Sequence, residues 1–138
     1  MTEDRKAPFE VRAPLGVGIV SSSPDRLLSF YGDCLGFETL HPISFPGSGT
    51  AHRFRAGGAI LRVFQPEGPS PAPGVTDRFD AVSGVRYFTL VVDDVQGVLD
   101  ACREFGIDVP DTPTEPMPNT FMAMIQDPEG NWFEVQSR

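Results

Sequence analysis

Residues 16–28 read GVGIVSSSPDRLL and residues 87–99 read YFTLVVDDVQGVL. Laid over one another at an offset of 71 residues, each is an apolar run of strand length, then a polar pair, then an apolar stripe at helical spacing. In the first copy Ser22 or Ser23 is expected to cap the helix, with Pro24 at the first helical position; in the second Asp93 or Asp94 caps. Leu27, Leu28, Tyr31 and Leu35 form one apolar stripe, and Val95, Val98, Leu99, Cys102 and Phe105 the other. Both helices are expected to stop at a glycine before an apolar residue, Gly36-Phe37 and Gly106-Ile107.

The similarity continues downstream at an offset of 72. Arg55-Ala56-Gly57-Gly58 precedes an apolar strand, as does Asp127-Pro128-Glu129-Gly130, so each copy holds a β-hairpin closed by a glycine-containing turn. The unit is βαβββ, and it occurs twice. All 138 residues form one α+β domain, with module one at about 15–65, a linker at about 66–84 and module two at about 85–137. The linker contains PEGPSPAPG at 66–74, too rich in proline for a helix or a central strand. Residues 75–83 are a candidate flap over whatever the modules enclose.

Lys and Arg number 11 against 19 Asp and Glu, a net charge of −8. Nucleic acid and anionic membrane both demand a basic footprint, so neither is an expected partner. A small molecule is. Cys34 and Cys102 stand outside any CxxC pair and read as small buried residues in helices. The amino terminus lacks the apolar core of a signal peptide, and no run approaches the ~18 apolar residues of a spanning helix, so a cytoplasmic location is expected.

Phe30-Tyr31 ahead of Leu35-Gly36-Phe37, then Val92-Asp93-Asp94-Val95, then Asp127-Pro128-Glu129-Gly130-Asn131 followed by Glu134, together resemble the vicinal oxygen chelate superfamily. That superfamily takes in glyoxalases, bleomycin resistance proteins and extradiol dioxygenases. The resemblance implies two tandem βαβββ modules whose sheets form a U-shaped cleft (the glyoxalase-like fold), and assembly as a homodimer. In its enzymes the cleft holds a divalent metal. Carried over position by position, the ligand sites fall on Gly16, Arg62, Tyr87 and Glu134. Glycine offers no donor, arginine has no lone pair, and tyrosine ligates only as a phenolate. Glu134 alone survives, so no metal and no other cofactor is expected. His41 and His52 are the only histidines; His41 reads as a loop or strand-end residue and His52 as a core or edge residue.

Counting back across Gly57-Gly58 sets Arg55 opposite Ile60 and Arg53 opposite Arg62. The same alternation assigns to the cleft Gly16, Gly18, Arg53, Arg55, Ile60, Arg62 and Phe64 from module one. From module two it assigns Tyr87, Thr89, Phe121, Ile125, Trp132, Glu134 and Gln136. Arg53, Arg55, Phe64, Phe121 and Trp132 are the candidate ligand-binding residues. Opposed arginines on one sheet face are costly unless an anion joins them, either Glu134 or an anionic or phenolic ligand; alternatively both snorkel to solvent. Tyr87, Glu134 and Arg62 are candidate catalytic residues for a metal-free isomerase or lyase, with Tyr87 donating a proton and Glu134 removing one. The same three also read, and slightly better, as a hydrogen-bonded plug in the old metal position. Metal-free ligand capture is the first reading, metal-free acid–base catalysis the second, and a metal-dependent glyoxalase or dioxygenase the third.

Overall fold

A computed structural model describes residues 8–68 and 77–137. Residues 69–74 of the linker, 75–76 of the candidate flap and the first seven residues lie outside that description. The elements are β1 (Val17–Val20), α1 (Asp25–Ser29), β2 (Glu38–Phe45), β3 (Gly49–Ala56), β4 (Ala59–Pro66), β5 (Tyr87–Val91), α2 (Val95–Phe105), β6 (Thr114–Met117), β7 (Thr120–Gln126) and β8 (Trp132–Ser137). Strand order is β1-β4-β3-β2 in one sheet and β5-β8-β7-β6 in the other, so the repeat in sequence is a repeat in topology. β1 pairs with β4, and β5 with β8, in parallel; the remaining pairs are antiparallel. The register in β3–β4 is the expected one, with Arg53 facing Arg62 and Arg55 facing Ile60.

The helices differ from each other more than their sequences do. Asp94 caps α2, its carboxylate accepting from Gly97 N–H at 3.0 Å, and Gly106 closes it at φ 101°. In the first copy the cap position falls on Pro24 itself, one residue later than expected and without a side-chain cap. α1 then widens into a π-helical stretch, Phe30–Cys34, closed by Leu35 N–H on Phe30 C=O at 2.9 Å. Phe30 and Tyr31 would point about 100° apart on a regular helix, yet both are fully buried.

One core serves both modules. The inward faces of the sheets supply Ile19, Phe54, Leu61 and Val63 on one side and Ala123, Ile125, Phe133 and Val135 on the other. Leu27, Phe30 and Tyr31 from the first helical segment join Val95, Leu99 and Cys102 from α2 in the same cluster. Phe30 meets Phe105 at 5.5 Å and Phe133 at 6.0 Å, and Tyr31 meets Phe54 at 6.3 Å and Phe88 at 6.5 Å. Each such side chain stabilises the fold by roughly 1.5–3 kcal/mol through burial alone.

A polar link crosses this core. Tyr31 Oη donates to Asp127 Oδ2 at 2.7 Å, joining the aromatic pair of module one to the hairpin turn of module two. Asp127 also accepts from the backbone N–H of Glu129 and Asn131, at 2.9 and 3.0 Å, and from Asn131 Nδ2. Ser21 adds a second link by donating to Glu129 at 2.7 Å. Burial pushes the Asp127 carboxyl above its ordinary range although those hydrogen bonds pull it down, and the Tyr31 phenol is pushed up by burial and by Asp127.

The turn that Asp127 organises corrects one expectation. In module one the hairpin closes Ala56 against Ala59, with two residues between. In module two it closes Gln126 against Trp132, with five between. An odd difference in loop length flips every side chain of β7. Ile125 therefore lies in the core at 1% exposure, facing Phe133, and Phe121, opposite Ser137 at the start of the strand, shares its parity but is exposed. Met122 and Met124, opposite Gln136 and Glu134, take the outward face instead.

Candidate functional site

Strand parity puts Tyr87, Thr89, Trp132 and Glu134 on the outward face of the second sheet, since Tyr87 pairs with Trp132 and Thr89 with Glu134. A cavity of about 580 Å³ opens there, within the size range of small-molecule sites. Tyr87, Trp132 and Glu134 line it together with Met122 and Met124. Thr89 donates its hydroxyl to Glu134 Oε1 at 3.2 Å, which holds the carboxylate on this face.

The remaining wall comes from the stretch just before β5. Asp77, Arg78, Phe79 and Asp80 fold over the open sheet face and line the cavity. Phe79 stands edge-on to Tyr87 at 5.7 Å and 88°, and to Trp132 at 6.2 Å and 69°. Three rings thus share one corner of the site. Arg78 is clamped by Asp80 through two hydrogen bonds of 3.0 and 3.1 Å.

The module-one candidates do not join this group. Arg55 pairs with Glu38 at 3.3 Å on its own sheet. Arg53 donates Nε to His41 C=O at 3.0 Å, and with His52 it lines a smaller cavity of about 290 Å³ between α1, β2 and β3. Phe64 packs against Phe45 at 6.3 Å. Arg62 lies over Gly16, where a Cβ would come within 2.7 Å of Nη1. Glu134 has Thr89 rather than Arg62 as its hydrogen-bond donor, so the three candidate catalytic residues are divided, with Tyr87 and Glu134 in the cavity and Arg62 on the other sheet. His52 Nε2 is engaged with Gln65 Oε1 at 3.1 Å.

A divalent metal does not fit the donor set at the carried-over positions. A guanidinium occupies the space beside Gly16 that a ligating side chain would need, and it repels a cation. Among the described residues no cluster of three or more His, Cys, Asp or Glu is placed to hold an ion.

Sequence reasoning missed Phe79, Asp77 and Asp80, and Met122 and Met124. The candidate flap at 75–83 was the available signal for the first three, since 77–80 are the part of it that covers the site. The five-residue turn at Asp127 was the signal for the methionines. No helix among the described residues is long and apolar enough to cross a membrane.

Residues 15–135 match the family described as the Glyoxalase/Bleomycin resistance protein/Dioxygenase superfamily. Over 118 residues the chain is 31% identical to the probable lactoylglutathione lyase, chloroplastic, of Arabidopsis thaliana, an alignment covering 83% of this chain and 32% of that protein. The chain thus spans about a third of the length of that relative. Its fold is similar to that of a glyoxalase family protein from Bacillus cereus, with a TM-score of 0.80, 14% identity and coverage of 96% of this chain and 98% of the other. It is also similar to that of TnmS3, an antibiotic binding protein from Streptomyces sp. CB03234, with a TM-score of 0.68, 17% identity and coverage of 94% and 98%.

Proposed function

The chain belongs to the glyoxalase/bleomycin resistance protein/dioxygenase superfamily, and from that premise we propose that it captures a small aromatic molecule in the cavity of its second module without a metal ion. One observation carries this reading. Phe79, Tyr87 and Trp132 line one corner of a cavity of about 580 Å³ that the Glu134 carboxylate also lines. Aromatic walls with a few convergent polar groups are what a small-molecule site requires. An anionic ligand held by Arg53 and Arg62 has no support in this cavity, because neither arginine lines it. That one fold neighbour is an antibiotic binding protein agrees with capture.

A second reading is metal-free acid–base chemistry, favoured by Tyr87 and Glu134 sharing the cavity and by the lyase relative. The two separate on one experiment. Trp132 is the only tryptophan, so its fluorescence reports an aromatic probe entering the site in the presence of chelator. Capture returns the probe unchanged, and Glu134→Gln shifts its affinity only a few-fold; catalysis transforms the probe, and Glu134→Gln abolishes turnover.

The reading includes a homodimer, supported by the exposed apolar side chains Leu15, Val20 and Val91 at and beside the edge strands β1 and β5. It includes a cytoplasmic setting, with which the two free thiols agree. A mass in solution twice that of the chain is the expected result for the dimer.

A further inference from the structure

The geometry points to a ligand class: we infer that the second-module cavity selects aromatic cations, ring systems bearing a protonated amine or quaternary ammonium, over neutral and anionic aromatics. The inference rests on the capture reading above and adds the charge of the ligand.

Two independent features of the site agree on that charge. The first is the aromatic corner. The face of each ring carries the negative end of its quadrupole, and a cation within about 6 Å of such a face is attracted to it. The plane of Phe79 stands at 88° to that of Tyr87 and at 69° to that of Trp132, so ring faces of more than one orientation border the cavity. Trp132 is the strongest of the three residue types in this role.

The second is the balance of formal charge. Among the described lining residues, Asp77, Asp80 and Glu134 carry three negative charges and Arg78 the one positive charge. Arg78 is already spanned by Asp80 at 3.0 and 3.1 Å, so its guanidinium is a poor anchor for an anionic ligand. Thr89 fixes Glu134 by one oxygen, on the face where Met122 and Met124 form a polarisable floor for a ring. The chain as a whole carries −8, so the long-range field draws the same class of molecule toward the protein.

The test is equilibrium dialysis of the full chain, in chelator at low ionic strength, against three probes of matched shape: naphthylmethylammonium, naphthylmethanol and naphthoate. The expected order places the cation roughly tenfold above the anion and about threefold above the neutral alcohol, from one cation–aromatic contact and a partly screened carboxylate field. Raising the salt narrows the gap between cation and anion without weakening the alcohol. Phe79→Ala lowers the cation's affinity more than the alcohol's. Asp80→Asn, which removes the carboxylate that holds Arg78, lowers the cation and raises the anion. Equal binding of all three probes, or preference for naphthoate, overturns the inference and leaves capture standing. Retention of none of them overturns the cavity as a binding site, and this inference with it.

Discussion

Replacing Tyr31 by Phe isolates the hydrogen bond that joins the two modules. The substitution keeps the ring and its contacts with Phe37 at 5.9 Å, Phe54 at 6.3 Å and Phe88 at 6.5 Å, and deletes one oxygen. That oxygen donates to Asp127 at 2.7 Å in a site where Tyr31 is fully buried. A hydrogen bond to a charged group contributes about 1.5–3 kcal/mol. Asp127 retains its donors from Glu129 and Asn131, so the carboxylate is not orphaned and the loss falls in the middle of that range, about 2 kcal/mol. For a chain of this length that corresponds to a fall in Tm of roughly 6–10 °C. Thermal melting followed by circular dichroism, with urea unfolding at a fixed temperature, measures both quantities. A loss below about 0.5 kcal/mol would show that the motif-to-motif link does not hold the modules together and would refute the reasoning.

Asp127 should also make stability depend on pH. Its folded-state value is raised above 3.8, so its contribution is fully present below that pH and is lost as the pH rises through the raised value. The Tm of the natural chain minus that of Asp127→Asn is therefore expected to be larger near the acid end of that window than at pH 7, and a difference that grows with pH would contradict it. Gly49→Ala should destabilise by about 2 kcal/mol or more, because the new Cβ would meet the backbone of Gln65 and lie 2.9 Å from Pro66 Cα, whereas Gly18→Ala enters open space and changes Tm by little. Urea midpoints compare the two. Burial pushes the Cys102 thiol up to about 12, and burial raises Cys34 as well, so a thiol reagent at pH 8 should modify neither within minutes in the folded chain and both after unfolding.

The parts of the fold set by local chemistry were legible in the sequence. Asp94 and Gly106 bound a helix by capping alone, and two residues at Gly57-Gly58 fix the register that brings Arg53 opposite Arg62. What escaped depends on contacts distant in sequence. The π-helical turn at Phe30–Cys34 has no spacing signature of its own; it accompanies the burial of two adjacent aromatic residues against both sheets. The face of β7 depends on the length of the Asp127 turn, and that length follows from hydrogen bonds between Asp127, Glu129 and Asn131. The family motifs pointed to one face of each sheet, and Tyr87 and Glu134 lie on the outward face of the second. They did not show that Tyr87, Trp132 and Glu134 share a cavity roofed by Phe79 while the arginines lie on the other sheet, because residues 77–80 carry no periodic pattern to place them.

Metal content tests the account most directly. The chain, purified without chelator and offered Mn²⁺, Fe²⁺, Ni²⁺ and Zn²⁺ in turn, is dialysed and subjected to elemental analysis. The arrangement of Arg62 over Gly16 predicts metal far below one ion per chain for every ion offered. A retained ion near one per chain, removed by chelator and lost in Glu134→Gln, would contradict metal-free capture and return this chain to the metal-dependent members of its superfamily.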